Sequence, residues 1–292
     1  MDYRNYLSPE IVAFIDETMA FYPPDLDPRD WPAQRAAYDR MAAHFHRGRP
    51  EGLAVADRDI EGVPVRLYGS ASDVTVVYAH GGGFVLGGLD SHDDVCAELA
   101  QRTGSRVVSV DYRLAPEHPG VAGHEDLMRV TEGCCAEGPV ILCGDSAGAS
   151  LCATVSGTRA DLGLHGQVLI YPSLGFPQQG GSFGTHAEAP LLRTEDLGLY
   201  REVLGGDPED PRVAPARGDL AALPPTWLFP SECDPLHDDA LRYAAAARAA
   251  GAEVHLQSHA GLVHGWLRAR DVNALARASF AQIVEAVVQL SR

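Results

Sequence analysis

The sequence predicts an α/β protein: a mainly parallel central sheet with helices on both faces and a helical cap over one end. From residue 53 onward, short apolar or β-branched runs alternate with amphipathic helical stretches, as parallel strands joined by crossover helices do. One run, Val74-Thr75-Val76-Val77-Tyr78-Ala79, is apolar or β-branched almost throughout, the composition of a strand buried on both faces. Another, Val140-Ile141-Leu142-Cys143, leads into Gly144-Asp145-Ser146-Ala147-Gly148 and then into the helix-compatible Ala149-Ser150-Leu151-Cys152-Ala153. That is a strand, a five-residue turn and a helix, with a serine at the centre of the turn.

Ahead of the sheet, residues 1 to about 48 read as helical. Ser8-Pro9-Glu10 opens a helix with Pro at its first position, where the missing N–H is no loss. Ile11, Phe14, Ile15 and Met19 follow at helical spacing, and Pro23-Pro24 ends the helix. A second helix is expected from Pro32 to His46. Val63, Val65 and Leu67 alternate with Pro64, Arg66 and Tyr68 in a half-exposed strand. After the buried strand 74–79 come a helix near 93–103, a strand at 106–110 and a helix near 124–136. The strand 139–143 follows, with its helix running to about 160, and then a strand at 168–171.

Residues 173–215 break this rhythm with Gly175, Pro177, Gly180, Gly181, Gly184 and Pro190. One helix is expected inside the segment, N-capped by Thr194, with Leu197, Tyr200, Val203 and Leu204 on one face. The alternation resumes with a strand at 226–229, a helix at 237–250, a strand at 253–257 and a helix at 272–290. The expected division is therefore N-terminal cap helices at 1–48, a core formed by 49–172 and 216–292, and a second cap segment at 173–215. Long insertions between strands of such sheets often serve as lids.

Composition narrows the function classes. A formal net charge of −17 argues against nucleic acid or an anionic membrane surface as partner, since both need basic patches. No apolar stretch reaches the length that crosses a bilayer, and Met1-Asp2-Tyr3-Arg4-Asn5-Tyr6 has no basic-then-apolar signal pattern. The six cysteines form neither a Cys-x-x-Cys pair nor a disulfide framework, which suits reduced thiols in the cytoplasm. His44-x-His46 and the run Asp90-Ser91-His92-Asp93-Asp94 lack coherent metal-ligand spacing, so no metal is expected; the acidic run reads as a helix start.

The chemistry collects around Ser146. Gly-x-Ser-x-Gly between strand and helix is the nucleophile-elbow pattern, in which small neighbours let the strained turn form and lift Oγ above the sheet. A serine needs a base to take its proton, and the base needs a third group to orient it. Downstream acids are Glu232, Asp234, Asp238 and Asp239. Asp234 follows the strand 226–229 directly, at the end of the sheet where sites collect; Asp238 and Asp239 fall in a helix's first turn, where acids are favoured anyway. Candidate bases are His237, His255, His259 and His264. His255 lies inside a strand, His237 opens a helix, and His264 sits in Gly261-Leu262-Val263-His264-Gly265-Trp266, where glycines let the loop bend. His80-Gly81-Gly82-Gly83-Phe84, directly after the buried strand, offers backbone N–H groups to a developing oxyanion, and the N–H of Ala147 completes the set.

Taken together, His80-Gly81-Gly82-Gly83-Phe84, Asp111-Tyr112-Arg113-Leu114-Ala115-Pro116-Glu117, Gly144-Asp145-Ser146-Ala147-Gly148, Asp234-Pro235-Leu236 and His264-Gly265-Trp266 resemble the bacterial hormone-sensitive-lipase family of esterases, in its GDSAG subgroup. The resemblance runs from residue 80 to 266. It implies an α/β-hydrolase fold, a triad of Ser146, Asp234 and His264, and oxyanion donors at Gly82, Gly83 and Ala147. It also implies hydrolysis of short-chain carboxylic esters, acetyl to hexanoyl, beneath a helical cap and without a cofactor. Two stretches depart from the family pattern: His118-Pro119-Gly120-Val121-Ala122-Gly123, and Trp266 where the family more often has Phe. The expected partner is a small-molecule ester, and the expected state a monomer or homodimer. A deacetylase or amidase with the same triad is the alternative. A non-catalytic receptor on the same fold fits less well, because His264 is present, and a long-chain lipase lacks an evident amphipathic anchor.

Overall fold

The computed structural model describes residues 1–176 and 179–292. Pro177 and Gln178, inside the second expected cap segment, lie outside the described residues. The strands are β1 (Val55–Ile60), β2 (Val63–Tyr68), β3 (Thr75–Ala79), β4 (Arg106–Val110), β5 (Val140–Asp145), β6 (Gly166–Ile170), β7 (Thr226–Phe229), β8 (Ser231–Cys233), β9 (Val254–Leu256) and β10 (His259–Val263). The helices are α1 (Tyr3–Tyr6), α2 (Pro9–Met19), α3 (Trp31–Phe45), α4 (Asp93–Thr103), α5 (Ala122–Cys135), α6 (Ala147–Thr158), α7 (Gly181–Thr185), α8 (Thr194–Leu204), α9 (His237–Ala250) and α10 (Ala274–Leu290).

Among the described residues the main sheet has eight strands, ordered β1-β2-β4-β3-β5-β6-β7-β9. β2 pairs antiparallel with β1 and β4, and every pair from β4 to β9 is parallel. The period of two along a strand sorts side chains onto two buried faces. On β3, Val76 and Tyr78 enter the core beneath α4 and α10, while Val77 and Ala79 enter the core beneath α5, α6 and α9. β3 is buried at all five positions, which is why it reads as an unbroken apolar run.

The N-terminal helices belong to the first of these cores. Ile11 and Phe14 of α2 and Met41 and Phe45 of α3 are buried in one cluster with Tyr68, Trp266 and Phe280. The Phe14 and Phe45 rings meet edge-on at 5.1 Å. Ser8 caps α2 through its side chain, as its place before Pro9 predicts, whereas Met19 is exposed. α2 ends at Met19, one turn before Pro23-Pro24.

Three local expectations are corrected. Thr194 is the first residue of α8 and not its cap; the Asp196 carboxylate accepts from the Arg193 N–H at 2.8 Å and closes that end. The expected loops around Asp234 and before His264 contain β8 and β10, which pair in parallel as a separate two-stranded sheet, so His259 opens a strand. The three-residue β8 has too little pattern to be read locally, and its partner β10 lies 28 residues away or more in sequence. The acidic residues at the starts of α4 and α9 do more than face a helix dipole. Asp93 is buried and binds Arg49, Arg66, His46 and Tyr68, and Asp94 binds Arg270.

Candidate active site

Ser146 sits between β5 and α6 at φ +52 and ψ −120, a backbone conformation that non-glycine residues rarely adopt. The turn exists because Gly144 and Gly148 lack side chains. A Cβ on Gly144 would lie 2.7 Å from the Ala79 carbonyl oxygen, and one on Gly148 would collide with the same carbonyl. The Ser146 N–H is fixed on the Ile170 carbonyl at 2.9 Å. Ala147 is the first residue of α6, and its N–H has no acceptor within the helix.

The small β8–β10 sheet brings acid and base together. Cys233 and Val263 are register partners across it, so the residues that follow them, Asp234 and His264, leave the two strands side by side. Gly265, at φ +72, then turns the chain away. The His264 Nδ1 is 2.6 Å from Asp234 Oδ2, and its Nε2 is 2.8 Å from Ser146 Oγ. The other oxygen of Asp234 accepts from the Leu236 N–H at 2.8 Å. Asp234 is 0% exposed and His264 8%, so the bond between them is shielded from water. The Tyr171 ring packs against the imidazole with centroids 4.7 Å apart.

The competing acids and bases are engaged elsewhere. Glu232 accepts from the Tyr6 hydroxyl and the Gly261 N–H. Asp238 accepts from the Ser182 N–H. Asp239 is buried and accepts from the N–H groups of Leu174 and Phe176, tying α9 to the start of the 173–215 segment; burial pushes its carboxyl up to about 6 against those hydrogen bonds. His237 contacts Asp238 and Ser258, and His255 contacts Glu253. His259 is buried, 3.0 Å from Gln282, with burial lowering its pKa to about 4.

The glycine run after β3 curls over the same place. Gly82 lies at φ +130 and Gly83 at φ +62. A Cβ on Gly83 would sit 2.8 Å from the Tyr200 ring of α8. Asp145, next to the serine, anchors this loop: it accepts from the Gly81 N–H at 2.9 Å, the Tyr78 hydroxyl at 2.8 Å and the Tyr171 hydroxyl at 3.2 Å. Burial works against its ionisation, but His92 and Tyr78 more than offset that and hold it below the usual carboxylate range. In the sequence Asp145 stands out only as the second residue of the GDSAG motif. Nothing local in the sequence shows that Tyr78, Gly81 and Tyr171 converge on it.

Ser146, His264, Gly82, Gly83 and Ala147 all line one cavity of about 1010 Å³. Phe14 and Tyr38, from the N-terminal segment, and Leu197 and Tyr200, from α8, line it too; Ile15 packs against the core instead. Among the described residues no group of three or more His, Cys, Asp or Glu side chains gathers to hold a metal ion. His44 and His46 instead meet Glu17 and Asp93. No helix among these residues is long and apolar enough to cross a membrane.

Residues 76–268 match a protein family described as alpha/beta hydrolase fold. The chain is an alpha/beta hydrolase of the bacterial hormone-sensitive-lipase family of esterases. The hydrolase is 38% identical over 241 residues to carboxylesterase NlhH of Mycobacterium tuberculosis, covering 75% of this chain and 76% of that one. It is 35% identical over 247 residues to an acetyl-hydrolase of Streptomyces hygroscopicus, covering 80% of this chain and 81% of that one. The crystal structure of an esterase from the bacterial hormone-sensitive lipase family superposes on it with a TM-score of 0.89 and 26% identity, over 98% of this chain and 99% of that one.

Proposed function

We propose that the hydrolase is a serine carboxylesterase that cleaves short-chain acyl esters, acetyl to hexanoyl, through an acyl-enzyme on Ser146. The observation that carries this reading is the hydrogen-bonded chain from Ser146 Oγ through His264 to Asp234. Asp234 accepts from Nδ1–H and so leaves Nε2 free to take the serine proton. Oγ then attacks the ester carbonyl carbon. The oxyanion that forms is held by the N–H groups of Gly82, Gly83 and Ala147, and His264 returns the proton to the departing alcohol. Water repeats the sequence on the acyl-enzyme and releases the acid. Every step moves a proton or an electron pair between these side chains, the ester and water, so the proposal includes no metal or cofactor.

In the same reading, residues 1–48 and 173–215 act as the cap over the core formed by 49–172 and 216–292. Support comes from the side chains that each segment contributes to the cavity. The six unpaired thiols suit a cytoplasmic enzyme acting on a small soluble ester, as monomer or homodimer.

The short acyl range draws support from the acetyl-hydrolase relative. The cavity favours a second reading, an optimum beyond octanoyl, because about 1010 Å³ stands at the upper end of what drug-sized ligands occupy, roughly 300–1,000 Å³. A series of p-nitrophenyl esters from acetate to palmitate, with an N-acyl amide beside them, separates the readings. The proposal expects the highest kcat/KM between acetyl and hexanoyl, little amide cleavage, and loss of activity in Ser146→Ala. Palmitate as the best substrate, or near wild-type turnover by Ser146→Ala, would refute it.

A further inference from the structure

The cavity holds a charge that the proposed chemistry does not use. Arg268, four residues after His264, lines the same cavity as Ser146, and the residue is 8% exposed. Its Nη2 donates to the Tyr38 hydroxyl at 3.0 Å and to the Ser91 carbonyl at 3.3 Å, and its carbon Cζ lies 5.0 Å from the centre of the Tyr38 ring. Its Nε is buried with no hydrogen-bond partner. Among the described residues no carboxylate stands within ion-pair distance of this guanidinium. The neighbouring Arg270, by contrast, is paired with both Asp94 and Glu98.

Burying a cation without a contacting anion is costly, because neutral hydrogen-bond acceptors and a ring face replace its hydration without matching its charge. Burial opposes the Arg268 charge, yet Tyr38 and Asp145 more than offset that and keep its pKa above the ordinary arginine value. Asp145 is the nearby negative charge, but its oxygens are taken by Tyr78, Gly81 and Tyr171. The other arginines of the cavity wall differ: Arg193 is paired with Asp196, Arg217 with Glu209, and Arg201 is exposed to solvent. A guanidinium presents N–H donors in a planar fork that suits a carboxylate, and it does so best where water is excluded.

We propose that Arg268 is an anion-recognition residue of the catalytic cavity, and that the preferred esters carry a carboxylate on their acyl or alcohol part. This rests on the esterase reading above and narrows its substrate class. The ester group meets Ser146 while the substrate's carboxylate pairs with the guanidinium of Arg268 where that residue lines the cavity. An overall charge of −17 steers anions away from the molecule at large, so selectivity for them must come from inside the cavity.

Two substrate pairs test this and distinguish the side that carries the charge: monomethyl succinate against methyl succinamate, and acetoxyacetate against acetoxyacetamide. In the wild type, at least one carboxylate should show kcat/KM about tenfold or more above its amide partner, the size expected for a charge-assisted hydrogen bond. That ratio should collapse in Arg268→Gln and be partly kept in Arg268→Lys. A ratio of one or less in both wild-type pairs, or the same ratio in Arg268→Gln, overturns the proposal. Cleavage of the neutral amide-bearing esters reports on the esterase reading alone, so either idea can fail without the other.

Discussion

Asp234 divides its two oxygens between His264 and the Leu236 N–H, and that division fixes the imidazole in one orientation. Asp234→Asn keeps the shape but can present an N–H where an acceptor is needed, which favours the wrong tautomer at Nε2. A fall in kcat of ~10⁴ is expected by analogy with triads of this geometry, with a smaller change in KM. His264→Ala should be comparably damaging. His237→Ala and His255→Ala should stay within a few-fold of wild type, since those rings contact Asp238, Ser258 and Glu253, away from Ser146. Steady-state kinetics on p-nitrophenyl acetate measure all four, and a severe loss in His237→Ala would reassign the base.

Between elements, two contacts couple the 173–215 segment to the site. The first is Asp239 on α9, which takes the N–H groups of Leu174 and Phe176. Asp239→Ala leaves two N–H groups without their acceptor, at about 1–3 kcal/mol each, so the urea unfolding free energy should drop by at least ~2 kcal/mol. An unchanged midpoint would mean that water takes over the carboxylate's role. The second is Tyr200 of α8, whose ring lies where a side chain on Gly83 would project. Gly83→Ala should lower kcat by ~10²-fold, because the donors of the glycine loop must shift away from the oxyanion. A loss confined to KM would make the loop a substrate-binding element. Partial recovery in Gly83→Ala/Tyr200→Ala would trace the damage to the ring, and no recovery would trace it to the left-handed backbone at φ +62, which glycine adopts without strain.

For the molecule as a whole, buried histidines set the acid limit. Burial lowers His80, His124 and His259 from 6.5 to about 4. Between about 4 and 6.5 the unfolded chain therefore binds more protons than the native one at each of these sites, so stability rises with pH. It is present in full above about 6.5 and is lost as the pH falls toward 4. Asp239, raised to about 6, acts in the opposite sense: its native form holds a proton that the unfolded chain has released. Three groups outweigh one, so urea unfolding should require less denaturant at pH 5 than at pH 7, and a flat or inverted trend would contradict the assignment. The N-terminal helices belong to the same cooperative unit. Phe14 is 2% exposed within the main core, so Phe14→Ala should cost about 3–5 kcal/mol, read as a lower urea midpoint for the entire molecule and not as a separate early transition.

The sequence alone determined what local pattern and short motifs carry. The alternation of strands and helices is legible because burial on both faces demands long apolar runs, and β4, β7, α4 and α9 have the predicted limits. Ser146, Asp234 and His264 stand out because Ser146 centres a Gly-x-Ser-x-Gly turn, Asp234 comes soon after an apolar strand and His264 lies between glycines. Tertiary structure decided what depends on residues far apart in the chain. The β8–β10 pair sets Asp234 beside His264, yet β8 is too short to show itself and nothing local marks β10 as its partner. Asp239 looks like a helix-start acid until Leu174 and Phe176 arrive from another segment. Asp145 and Arg268 gain their meaning only from burial among Tyr38, Tyr78 and Tyr171, whose approach no local pattern encodes. Periodicity records which face of an element is buried; it does not record which neighbours that face will meet, and charges in a protein interior take their energy from those neighbours.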